Sequence, residues 1–153
     1  MNSSIALAGL VVAALLTTGC AGSATAPTSP DNQSPSSSSP ALTAGQLAGT
    51  WNLQSAQPEG AAAEATPAGA SYTLTFADGR LSTRADCNLC GGTYVLSGQT
   101  LTAGPALACT RAACPTMAFE STDTRLLSGD STVTLTDGTL VLSSARGVLR
   151  FTR

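Results

Sequence analysis

The chain has 153 residues, of which 42% are hydrophobic, only 4% aromatic and 10% charged, with a net charge of −2. That balance supplies no basic footprint for nucleic acid. There is no histidine, and all seven cations are arginine, so the commonest general base, the commonest neutral metal ligand and the Schiff-base amine are missing together.

In chain order, Ile5 to Leu16 is an uncharged apolar run followed by Thr17-Thr18-Gly19-Cys20. It is too short to span a bilayer comfortably and has the proportions of a signal-peptide core. The expectation is a leader over residues 1–20 with a lipobox-like end and Cys20 as the lipidated mature N-terminus. Two features depart from the usual pattern: the first four residues carry no basic side chain, and Thr17 stands where leucine is preferred. The bland alternative is a secreted protein cut after Ala21. Removing Cys20 leaves an even four cysteines, which fits the first reading.

Residues 21–43, mostly Ser, Pro, Thr and Ala, have almost nothing to bury and read as a disordered tether. A domain over 44–153 follows. Trp51 and Leu53 share one face of a first strand, and Gln57 to Ala70 is a Gly/Ala/Pro-rich loop. Tyr72, Leu74 and Phe76 alternate into the Asp78-Gly79 turn and return through Leu81, Thr83 and Ala85. Asp-Gly between alternating runs is a strong hairpin signal, since both residues tolerate positive φ. A second hairpin crosses Ser97-Gly98-Gln99. Pro115 suits the first position of a helix that carries Ala118, Phe119, Thr122 and Leu126, with Gly129 at its close; this is the one helix expected. Val133 and Leu135 lead to the Asp137-Gly138 turn, Leu140 and Leu142, then Leu149 and Phe151. The fold class expected is mainly β: a small antiparallel, partly open barrel or meander with one α-helix. Its core comprises Trp51, Tyr72, Leu74, Phe76, Leu81, Tyr94, Leu101, Phe119, Leu126, Leu135, Leu140, Leu142, Leu149 and Phe151.

Cys87/Cys90 and Cys109/Cys114 form two close pairs. Their spacing fits a zinc ribbon, and Cys87-Asn-Leu-Cys90 has the form of a redox motif, although no helix start follows it to stabilise a thiolate. An export signal favours disulfides over both. Bonds across the two turns would each contribute about 3–4 kcal/mol by restricting the unfolded chain, whereas bonds within a close pair restrain little.

Trp51-x-Leu53, Tyr72-Thr-Leu-Thr-Phe76, Asp86-Cys87-Asn88 with Gly92-x-Tyr94, Thr110-Arg111-Ala112-Ala113-Cys114-Pro115, Glu120 and Leu140-x-Leu142…Leu149-x-Phe151 together resemble the META domain of HslJ-like bacterial envelope proteins. The usual form has glycine where Asp86 stands. Cys90 and Cys109 look like an added pair, so the resemblance implies the bonds Cys87–Cys114 and Cys90–Cys109. It also implies a small β-rich barrel with one helix, often lipid-anchored and linked to envelope stress or antibiotic tolerance. It carries over no catalytic residue.

The functional expectation is a non-enzymatic, lipid-anchored envelope protein with no cofactor or metal. It would bind the membrane through its anchor and an envelope protein through its domain. The alternative is a carrier of a small apolar ligand, since Gly49-Thr50-Trp51 resembles the Gly-x-Trp entry of lipocalins. Were it an enzyme, Asp86, Glu120 and Arg111 would be the candidates, but they read more simply as solvated or capping charges.

Overall fold

Period-two alternation, broken at residues that accept positive φ, produces ten strands in the computed structural model, which describes residues 41–153. The leader, Cys20 and the tether up to residue 40 lie outside the described residues. In chain order the elements are α1 (Ala44–Leu47), β1 (Gly49–Pro58), β2 (Glu64–Ala65), β3 (Tyr72–Ala77), β4 (Arg80–Ala85), β5 (Asn88–Ser97) and β6 (Thr100–Ala103). After these come β7 (Ala108–Cys109), α2 (Met117–Leu127), β8 (Gly129–Thr136), β9 (Thr139–Ser144) and β10 (Gly147–Thr152).

Both Asp-Gly turns behave as their chemistry dictates. Asp78 and Gly79 have φ of 50° and 70°, and Asp137 and Gly138 have 48° and 75°, which lets two-residue loops join β3 to β4 and β8 to β9. All pairings are antiparallel. The order runs β1-β3-β4-β5-β6-β8-β9-β10, and β10 then pairs back onto β1 from Asn52↔Thr152 to Pro58↔Gly147. The barrel is therefore closed with eight strands, where the sequence pattern suggested a partly open one; β2 adds to β1, and β7 adds to β5. Closure leaves the ends of this sheet without an edge.

The seam is shaped by two local devices. A bulge between Leu53 and Ser55 shifts the face of β1, so that Trp51, Leu53 and then Ala56 all point inward. Gly147 has a φ of +139°, and a Cβ there would collide with the backbone of Gln57 and Pro58 on β1.

Trp51, Leu74, Phe76, Leu81, Leu101, Val133, Leu140, Leu142, Leu149 and Phe151 fill the interior, all almost wholly buried. Tyr94 and Leu135, placed in the core from sequence, are half-buried at its margin, while Leu47, Leu53, Ala56 and Leu127 join it. Outward positions are rich in hydroxyls. Thr100 and Thr102 face out on β6, and Thr132 and Thr134 do so on β8.

Each end of the barrel is stoppered. At one end the short helix α1, unexpected from sequence, places Leu47 over Trp51. Trp51 Nε1 donates to the Leu47 carbonyl at 2.8 Å. The Arg153 guanidinium lies 4.1 Å from the Trp51 ring and donates to the carbonyls of Gln46 and Ala48 at 3.0 and 2.7 Å. At the other end α2, which starts at Met117 after the N-cap position Thr116 and not at Pro115 as the sequence suggested, packs on β1, β10 and β4 through Phe119, Leu126 and Leu127. Gly129, with φ +76°, follows its C-cap, and Arg146 donates to the carbonyls of Arg125 and Ser128 there.

Candidate functional site

The cysteines, the anomalous aspartate and α2 meet at the end of the barrel opposite α1. The tight β4–β5 connection turns through Asp86 with φ +55°, which is why glycine is at home in this position and aspartate is among the few side chains that tolerate it. In return for that strain Asp86 does something glycine cannot. Its Oδ2 accepts from the Thr116 hydroxyl at 2.7 Å and the Thr116 amide at 3.2 Å, holding the residue at the N-cap position of α2. The Tyr72 hydroxyl shares a 2.7 Å hydrogen bond with the same Thr116 hydroxyl, and its ring stands edge-on to Phe119 at 4.9 Å. Burial pushes the Tyr72 phenol above its ordinary pKa; the Thr116 bond opposes this, and the charges of Asp86, Asp123 and Glu120 reinforce it.

Asn88, one residue past the first cysteine, is the hub of the loop that follows β6. Its Oδ1 accepts from the Ala112 amide at 2.8 Å and the Thr110 hydroxyl at 2.9 Å. Its Nδ2 donates to the Ala112 carbonyl and to the Glu120 carboxylate, each at 3.0 Å. A carboxamide pairs with a peptide unit as another peptide would, so Asn88 continues in side-chain form the ladder that β7 begins. It is almost completely buried, and these bonds together offset its desolvation.

Cys87 is bonded to Cys114, with Cα atoms 5.7 Å apart, and Cys90 to Cys109, at 4.0 Å. The bonds run across the two turns and are nested, the second lying inside the loop closed by the first. Together they fasten residues 104–115 against β5 and the start of α2. Cys87 and Cys109 are exposed, whereas Cys90 and Cys114 are buried.

Between residues 109–113 and the outer face of α2 lies a cleft of about 520 Å³. Leu107, Arg111, Met117, Glu120, Ser121 and Thr124 line it along with the floor at Asn88. Arg111 is exposed and Glu120 half-buried, so two of the three residues named as candidate catalysts share the cleft, while Asp86 works behind it at the Thr116 cap.

The sequence pattern gave no weight to Asp123. It sits on α2 four residues after Phe119 and three before Leu126, on the stripe that turns inward. That helical spacing was the available signal. Asp123 is 2% exposed, and burial, followed by the charge of Glu120, raises its pKa from 3.8 to about 7. A carboxyl poised there holds a proton at mildly acidic pH and sheds it near neutrality. No three His, Cys, Asp or Glu side chains converge as a metal site among the described residues.

The architecture is that of a small closed antiparallel barrel, stoppered at both ends and braced at one by nested disulfides. The model of the META domain matches residues 43–153, and the chain belongs to the META domain family. Among solved structures it is similar to a protein from Burkholderia xenovorans determined by NMR. That likeness has 26% identity and a TM-score of 0.61, covering 84% of this chain and 98% of the other. A second NMR structure matches with 25% identity and a TM-score of 0.57, over 72% of this chain and 94% of its own. No curated protein matches.

Proposed function

We propose that this protein is an exported, lipid-anchored envelope protein whose META domain is a non-enzymatic binding module, serving the envelope under stress. The observation that carries the reading is the polarity of the domain. The chain enters beside the α1 end, where the Leu42 amide donates to Gly98 at 3.1 Å, whereas the cleft, α2 and both disulfides lie at the opposite end. A domain held by its N-terminal side would present that braced end away from the membrane.

The two disulfides fit an oxidising compartment. No helix among the described residues is long and apolar enough to cross a membrane, and the barrel turns threonines outward and leucines inward, opposite to the pattern of a lipid-embedded barrel. Attachment through Cys20 would supply the membrane contact that the domain does not. The filled interior supports a partner met at the surface over a ligand carried inside. Gly49-Thr50-Trp51, which prompted the carrier reading, here builds the plugged end under Arg153.

Fractionation of cells expressing Cys20→Ser tests the anchor. The native protein is expected in the membrane fraction, and the variant in the soluble exported fraction or as an unprocessed precursor. Equal membrane association of both would overturn it.

A further inference from the structure

From Ala108 to Ala113 the chain runs beside the start of β5 and uses one side of its backbone only. Cys90↔Cys109 and Gly91↔Ala108 are paired, and the Thr110 amide donates to the Leu89 carbonyl at 2.9 Å. Asn88 then brackets the amide and carbonyl of Ala112. Inward pairing thus falls on alternate residues, as it must in an antiparallel ladder. The intervening residues point their peptide groups the other way. Neither the amide nor the carbonyl of Arg111 or Ala113 hydrogen-bonds within the described residues, and both residues are exposed. These two residues continue past β7, which ends at Cys109, with backbone groups that no strand of the barrel takes up, and both line the 520 Å³ cleft.

We propose that this edge is a strand-addition site that takes an extended segment of a partner protein, about four or five residues long, bearing a lysine or arginine toward Glu120. Alternating donors and acceptors at Arg111 and Ala113 are met by an extended backbone and by little else, because the spacing of a strand's peptide groups is fixed. The outer face of α2 stands opposite at a width that a cleft of this volume allows. Glu120 lines the cleft half-buried, with both carboxylate oxygens within reach of Asn88 Nδ2, and a lysine or arginine of the segment complements its charge as Arg111 on the facing wall does an acidic one. Met117, 56% exposed, gives the same segment an apolar contact.

The other occupants fit less well. The chain's own tether carries Pro27, Pro30, Pro35 and Pro40, which cannot donate to a ladder, and it joins the domain at the far end. A second copy pairing edge to edge would bring two Arg111 side chains together. The proposal rests on the reading of the domain as a binding module and names the chemistry of its partner.

The test is selection of a random heptapeptide display library on the full-length protein, followed by amide hydrogen exchange with the synthetic winner. Enriched peptides are expected to alternate β-branched residues with one Lys or Arg, and to protect the Arg111 and Ala113 amides. N-methylating the winner at alternate residues should abolish binding in one phase and spare it in the other. Glu120→Gln should weaken binding roughly tenfold while leaving protection of the barrel strands unchanged. The proposal is overturned if no peptide is enriched, if both N-methylation phases behave alike, or if the protected amides lie elsewhere. It is equally overturned if the protein dimerises through this edge without peptide. A protein that selects no peptide yet leaves the membrane on Cys20→Ser would lose the edge and keep the anchored reading; a selected peptide without membrane association would do the reverse.

Discussion

Asp123→Asn should make the domain more stable at neutral pH and leave it nearly unchanged near pH 4. The carboxyl is 2% exposed under α2, and its pKa of about 7 in the fold compares with 3.8 in the ordinary state. Burial is the main cause and the neighbouring Glu120 charge the second. The folded protein therefore keeps a proton that the unfolded chain has already released. Between about pH 4 and pH 7 the unfolded state binds fewer protons, so the stability contributed by this group is full below the lower value and drains away as pH rises, levelling off above the upper one. Roughly three pKa units at 1.36 kcal/mol each give on the order of 4 kcal/mol lost by pH 8. Asparagine has the same shape and does not titrate. Urea unfolding of both proteins at pH 4, 5.5, 7 and 8.5 should show midpoints that nearly coincide at the acid end and then part steadily as pH rises. Two curves separated by a constant offset would mean that Asp123 titrates alike in the folded and unfolded chain, and the buried-acid account would be wrong.

Cutting the nested bonds one at a time should also be costly. Replacing either Cys90 and Cys109, 19 residues apart, or Cys87 and Cys114, 27 apart, by serine should remove about 3 kcal/mol, or roughly 15 °C in Tm. A shift of only a few degrees by circular dichroism would show that the sheet holds residues 104–115 without them. At the seam, Gly147→Ala should cost at least about 3 kcal/mol, because its Cβ would meet the Gln57 backbone, whereas Gly98→Ala, at φ +61° with nothing within 4 Å, should cost about 1–2 kcal/mol. Denaturant midpoints that fall equally would refute the seam's role.

What could be read in the sequence was what local chemistry decides. Asp78-Gly79 and Asp137-Gly138 announce hairpins because two consecutive residues there tolerate positive φ, and the structure has both. Phe119 and Leu126 marked α2 by their spacing, and the same count would have reached Asp123 had polar residues been admitted to the stripe. Closure of the barrel was not legible. Asn52↔Thr152 joins residues a hundred apart, and no short-range signal encodes that meeting. The bulge after Leu53 hid the second half of β1 for a related reason: it moves the inward face from odd to even positions, so the alternation breaks at Ala56 and the chain from Gln57 reads as loop. The α1 helix, at four residues, is too short to show a period. At the candidate site the cysteine and Asn88 motifs were visible, but not the coupling of Asn88 to Ala112 and Glu120, which depends on how the loop folds back.

The β1–β10 seam has a consequence for how the molecule comes into being. The first long strand to emerge during synthesis or translocation is also the one that must wait longest for its neighbour, since β10 is the last element of the fold. Until Gly147 passes Pro58 and Arg153 settles over Trp51, the nascent sheet is a curled ribbon with two open borders. Long-range pairing of this sort is slow to find. Both disulfides, by contrast, join residues that are already out when α2 begins, so a thiol-oxidising environment can lock one end of the molecule before the other has closed. A chain interrupted before its final strand would then be covalently committed yet unsealed, with the β1 border free to pair with whatever chain it meets.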